Sequence, residues 1–208
     1  MEDVLDVYRR PYDKKRPLIA MDEVPKQLVA QLRLPVAARP GRPRRVDYEY
    51  KRNGTANIFM LFEPLAARRH VKITQRRTKV DWAYLIRDLV DVHYPEADRI
   101  VLVMDNLNTH KKASLYEAFE PKEAKRIADK LEIHYTPKHG SWLNVAQCEF
   151  SVMGRQCLDR RIPDIRSLTD EATAWQQRRN KEARPLDWQF TVEDARIRLR
   201  SLYPALQC

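Results

Sequence analysis

The stretch Arg99–Asn106, RIVLVMDN, is a continuous apolar run with no polar alternation until it ends in an acid. A strand covered by helices on both faces reads this way, and such strands belong to the parallel part of an α/β sheet. It delivers Asp105 at its C-terminal end. The run Pro17–Asp22, PLIAMD, has the same form and delivers Asp22. If the two strands lie side by side, their carboxylates converge at one edge of the sheet.

Other elements fall around this pair. Arg45–Lys51, RVDYEYK, alternates with the period of a strand, Arg52–Asn53–Gly54 is a turn signal, and Ala56–Leu65, ANIFMLFEPL, is a second strand pattern. Together they predict a hairpin. HVKITQ, from His70 to Gln75, is a third extended run, and Thr78 is a good N-cap for the helix VDWAYLIRDLVDVHY. Trp82, Leu85, Ile86, Leu89 and Val92 recur there at helical spacing, and Pro95 ends it. Helices are expected over KKASLYEAF and KEAKRIADKLE, broken at Pro121. IHYTP then returns to extended structure before a Lys138–Ser141 turn and a helix from about Trp142 past Met153. A helical tail follows, interrupted at Pro185.

The chain of 208 residues is long enough for one sizeable core, and its formal charge of +10 makes a polyanion such as nucleic acid the leading partner. No apolar run approaches the roughly 20 residues of a membrane span, and the charged N-terminus is unlike a signal peptide, which points to a cytoplasmic protein. Three cysteines without a CxxC pair argue against a disulfide framework or a zinc site. Basic residues cluster with prolines between Arg33 and Arg52, where ARPGRPRR brings Arg42, Arg44 and Arg45 together. That composition suits an extended segment that inserts into a DNA groove, or equally a solvated basic loop.

Two convergent carboxylates repel one another unless a cation lies between them, and Mg²⁺ prefers oxygen ligands. Two such ions about 3.5–4 Å apart would hold the attacking and leaving oxygens of a phosphoryl displacement. Either aspartate alone is as readily a turn-former or a helix cap.

MDE at 21–23, VMDNLNTH at 103–110 and TPKHGSWLN at 136–144 resemble the catalytic blocks of mariner-like bacterial insertion-sequence transposases, in the DDE integrase superfamily. The likeness spans essentially the whole chain. It implies a ribonuclease-H-like α/β fold, a mixed five-stranded sheet of order 3-2-1-4-5 flanked by helices. On this basis residues 1–16 are a lead-in, 17–160 the catalytic domain and 161–208 a helical C-terminal extension packed on it. The resemblance also implies two Mg²⁺ ions, replaceable by Mn²⁺, on Asp22, Asp105 and a third residue. The family cuts double-stranded DNA at transposon ends and joins the 3′-hydroxyl to target DNA. A homodimer or higher assembly on DNA, a nucleoid association in a bacterial cytoplasm, and a separate or missing N-terminal helix-turn-helix segment are further expectations.

The third residue departs from the pattern. Carried over from Leu143–Asn144, the family's glutamate falls on position 147, and this chain has Gln147. A glutamine keeps a weakly ligating amide oxygen but loses the charge that would hold a second cation, so impaired cleavage is expected. Asn144, Gln147, Ser151 and Gly154 share one helix face. Glu149 points about 200° away from position 147, yet a shifted register that makes it the third acid remains an alternative.

His110 matches a family histidine and would orient Asp105 or a phosphate, or be a loop residue satisfied by backbone. Lys138 and His139 lie in the loop of the third block ahead of its helix and are placed to meet DNA backbone or form a solvated turn, and Arg155 would track phosphates along the tail. Trp142 reads as a core or helix-start anchor. Two other functions stay open: a non-catalytic DNA-binding or assembly protein with the same fold, and a ribonuclease-H-type nuclease selective for structure.

Overall fold

The computed structural model describes residues 1–33, 36–43, 45, 48–138 and 140–203, the side chain of Leu202 excepted. Arg44, His139 and Cys208 lie outside the described residues. One five-stranded sheet is built from β1 (Leu18–Gln31), β2 (Tyr50–Glu63), β3 (Arg68–Thr74), β4 (Ile100–Met104) and β5 (Leu131–Tyr135). Its order is β3-β2-β1-β4-β5, the arrangement that the family resemblance implies. β1–β2 and β2–β3 are antiparallel, while β4 runs parallel to both β1 and β5.

Side chains alternate across a strand, so each strand feeds both faces of the sheet. Val101 and Val103 of β4, with Ala20, Ile58, Met60 and Phe62, pack under α1 (Glu2–Tyr8), α5 (Ala146–Met153), α6 (Ile165–Glu182) and α7 (Val192–Arg198). Ile100, Leu102 and Met104, with Ile19, Met21, Phe59 and Leu61, pack under α2 (Lys79–Asp88), α3 (Lys112–Ala118) and α4 (Pro121–Asp129). All five β4 residues are buried, and each such side chain contributes about 1.5–3 kcal/mol. A charge anywhere in β4 would have no exit to water. Among the described residues, no helix is long and apolar enough to cross a membrane.

Three local expectations are corrected. β1 does not end at Asp22 but continues to Gln31, because β2 pairs with it from Ala20 to Gln31. The Asn53–Gly54 pair does not turn the chain: β2 runs straight through it, and the β1–β2 register shifts between Gln27 and Val29. Between the flanking pairs, Leu28 faces both Asn53 and Gly54, and Gly54 takes a φ of +88°. An Asn-Gly pair suits a bulge as well as a hairpin, since both need a left-handed residue. The hairpin that does form joins β1 to β2 through the basic segment, whose tip pairs Arg39 with Arg42 around Pro40–Gly41. Val92, placed by its spacing on the apolar face of this helix, is 67% exposed, because the helix widens into a π turn over Leu89–His93 that rotates it outward. α1 was not foreseen, and its Val4, Leu5, Val7 and Tyr8 are all buried.

Candidate active site

The parallel pairing of β1 and β4 stops at Ala20↔Val103, two residues before Asp22 and Asp105. Beyond this point the strands part, which leaves both acids at the mouth of the gap. Period-two alternation then sends Asp22 to the face of Ala20, toward α5, and Glu23 to the face of Met21, toward α2 and α3. Adjacent acids therefore serve opposite sides of the sheet.

On the first side, α5 is held against β1 by Asn144, whose buried amide donates to the Met21 carbonyl at 2.8 Å and whose Oδ1 accepts the Ala146 N–H at 3.2 Å. Tyr8 of α1 braces the same point, donating to the Leu143 carbonyl at 2.8 Å. The approach is tight: a Cβ on Gly140 would meet the Pro137 ring at 2.6 Å, so only glycine fits that turn. With α5 so placed, the exposed Gln147 side chain stands close enough to Asp22 to act on its carboxyl. Burial pushes the Asp22 carboxyl pKa up. The backbone N–H of Glu23 and the Gln147 side chain pull it down, Asp105 pushes it further up, and His110 lowers it.

Glu149 is elsewhere. It is 4% exposed and bound by Arg69 of β3 through two contacts of 2.6 and 2.8 Å, with Arg179 of α6 at 3.1 Å. Burial raises its pKa, but the two guanidinium groups outweigh that and hold the carboxyl below its ordinary value. This acid is committed to tying α5, β3 and α6 together.

On the second side, His110 is fully buried, with Nδ1 at 2.5 Å from Asp105 Oδ1. Its Nε2 lies 3.3 Å from Glu23 Oε2, near enough for an ionic contact but outside hydrogen-bond geometry, so neither atom has a hydrogen-bond partner among the described residues. The other Glu23 oxygen accepts from Arg77 at 3.1 Å. Burial pushes the Glu23 carboxyl up; His110 and Arg77 lower it, while Asp105 and Asp22 raise it. Glu23, Asp105 and His110 bring ligand-capable atoms within 4.8 Å of one another, a buried acidic group of the kind that can bind a divalent ion. Glu23 was not singled out from the sequence, although its position one residue after Asp22 on a strand was the available signal.

Beside Asp105 an open cleft of about 550 Å³ is lined by Asn106, Leu107, Tyr135, Thr136, Pro137, Lys138 and Ser141. Lys138 thus stands at the site. Arg155 is exposed beyond the end of α5, while Arg42 and Arg45 are exposed on the β1–β2 hairpin. Trp142 is not core: it is 42% exposed and meets Phe190 edge-on at 5.7 Å. Cys148 is exposed and Cys157 buried.

The family model described as DDE superfamily endonuclease matches residues 17–169. Among solved structures, the Mos1 transposase paired-end complex with left transposon end is similar, with 14% identity and a TM-score of 0.58, covering 88% of this chain and 56% of that one. The Mos1 strand transfer complex is similar to the same extent, at 13% identity and a TM-score of 0.58, again over 88% of this chain and 56% of that chain. The chain therefore spans little more than half the length of these relatives, and at such identities the likeness is one of fold. No curated protein matches the sequence.

Proposed function

Because the chain belongs to the DDE superfamily endonuclease family, we propose that it is the catalytic domain of a DNA transposase, built to hydrolyse phosphodiesters at transposon ends and transfer the freed strand, with Gln147 in the third acid position. The observation that supports this reading is the end of β1–β4 parallel pairing at Ala20↔Val103, two residues short of both Asp22 and Asp105, with the Asn144 amide securing the start of α5 to β1.

The donor set fits one hard divalent ion and falls short for a second. Asp22 and Asp105 supply hard oxygens whose mutual repulsion a cation relieves, and Gln147 adds only a neutral amide oxygen. Mg²⁺ or Mn²⁺ bound there would polarise the scissile phosphate and favour the attacking hydroxyl. The residues of the chain do the rest. Asp22 and Asp105 orient the donor oxygens, Asn144 and Tyr8 set the depth of α5, and Lys138 meets a phosphate beside Asp105. Arg42, Arg45 and Arg155 hold flanking duplex, and the salt-bridged Glu149 keeps α5 from turning.

A missing charge in the third position favours a second reading, a DNA-binding protein that no longer cuts. Cleavage of a labelled transposon-end duplex in Mn²⁺ separates them. The Gln147→Glu variant is expected to cut roughly 100-fold faster than the parent chain or more, since even the partners behind metal ligands are worth about 10–100-fold. Asp22→Asn added to that variant is expected to abolish the gain. No cleavage by Gln147→Glu, with DNA binding retained, contradicts the catalytic reading and leaves the binding one.

A further inference from the structure

Glu23 has no place in the scheme above, yet its carboxylate side chain is only 1% exposed and carries an oxygen with no hydrogen-bond partner among the described residues. Burying a carboxylate with one oxygen unsatisfied costs several kcal/mol in general. The environment of His110 shows what the arrangement accomplishes. The residue is held at its backbone and at its ring. Its backbone N–H donates to the Leu107 carbonyl at 3.0 Å, its own carbonyl accepts the Tyr135 hydroxyl at 2.9 Å, and its face stacks on Trp82 at 6.1 Å between centroids. One ring nitrogen then meets Asp105 at 2.5 Å and the other faces Glu23 at 3.3 Å.

We propose that Glu23 is a positioning residue for Asp105, acting through His110, an inference that rests on the metal-dependent reading of the site given above. Asp105 follows the last residue of β4, where strand pairing no longer fixes its side chain. His110 engages Asp105 Oδ1, so Oδ2 is the oxygen that would serve a divalent ion. Glu23 stands behind the ring and holds its tilt, and Arg77 anchors Glu23 in turn at 3.1 Å. The chain Arg77–Glu23–His110–Asp105 thus passes from one face of the sheet to the ion position on the other. An alternative use of the same atoms, Glu23 as a direct ligand, is disfavoured because the imidazole already fills the space between the two carboxylates. A ring nitrogen that contacts a carboxylate fixes orientation and basicity in the same way that partners behind metal ligands do elsewhere.

The test is Mn²⁺ binding by the 208-residue chain, read from the electron paramagnetic resonance signal of free Mn²⁺, in the parent, Glu23→Ala, Glu23→Gln, His110→Ala and Glu23→Ala/His110→Ala proteins. Thermal unfolding of each shows that it is folded, and the near-isosteric Glu23→Gln serves if the alanine variant is not. Glu23→Ala and His110→Ala are each expected to weaken Mn²⁺ binding by roughly 10–100-fold, with Glu23→Gln recovering part of the loss. The double variant is expected to match His110→Ala, because Glu23 has nothing left to act through. Parental affinity in both Glu23 variants overturns the proposal, as do losses that multiply in the double variant, the signature of direct ligation. Absence of Mn²⁺ binding by the parent chain would instead overturn the metal-dependent reading itself, and this inference with it.

Discussion

At position 147 glutamine and glutamate differ by one formal charge, and the surroundings magnify the difference. Asp22, to which Gln147 stands close, is already raised by burial and by Asp105, so a third carboxylate there is tolerable only with cations present. Gln147→Glu is accordingly expected to lower the melting temperature without metal and to regain it on adding Mn²⁺, a shift the parent chain shows weakly. Differential scanning fluorimetry with and without Mn²⁺ checks this. Gly140 is the second decisive residue. Its substitution by alanine drives a methyl group into the Pro137 ring at 2.6 Å, and the turn must shift by more than a few tenths of an ångström. A loss of about 1–3 kcal/mol in urea unfolding is expected, with weaker Mn²⁺ binding because α5 moves. Part of this was legible: Asp105 stands in the sequence just past an apolar strand and Asp22 within one, while the register from Asn144 to Gln147 came from the resemblance to the family's third block. Glu23 was not, because a strand sends neighbours to opposite faces and nothing local says what waits on the far one.

At the scale of elements, α5 is held from three sides: Asn144 to β1, Tyr8 from α1, and Glu149 to Arg69 and Arg179. Glu149→Ala leaves two buried guanidinium groups without their carboxylate, so a loss of about 3–5 kcal/mol in denaturant unfolding is expected. The sign of its pH dependence follows from a folded pKa below the ordinary 4.5. The stabilisation is fully present above the unfolded value and disappears as pH falls through the folded one, so the variant should show a flatter acid limb than the parent. β4 and α2 were readable because an unbroken apolar run and a Thr78 N-cap before apolar residues at helical spacing carry their own signals. The β1–β2 pairing was misplaced for a physical reason. An Asn-Gly pair announces a left-handed residue, and only the partner strand decides whether the chain turns there or bulges.

Taken whole, the molecule divides into a basic exterior and a sheet with two cores, and its pH response includes a part far from the acids. His70 of β3 stacks on His93 at 3.7 Å, and burial, with help from His93 and Arg68, lowers its pKa from 6.5 to about 3. The unfolded chain takes up a proton below the ordinary value while the folded one does not, so stability falls as pH drops through that range. By about pH 5 the loss at His70 amounts to roughly 2 kcal/mol. His70→Phe, which keeps the stacking, is expected to flatten this fall in urea unfolding measured near neutrality and at about pH 5. The net charge of +10 leads to a further expectation. Duplex binding should weaken steeply with salt, by roughly 10³ between about 50 and about 200 mM if about six phosphates are neutralised. Fluorescence anisotropy reads this directly, and an affinity indifferent to salt would contradict it.

Anomalous diffraction from Gln147→Glu crystals soaked in Mn²⁺ asks the most direct question of the proposed site. The expected result is density for Mn²⁺ between Asp22, Asp105 and residue 147, with Glu23 behind His110 and not bonded to the ion. Mn²⁺ held by Glu23 and His110 away from Asp22, or no bound Mn²⁺ at all, would contradict it.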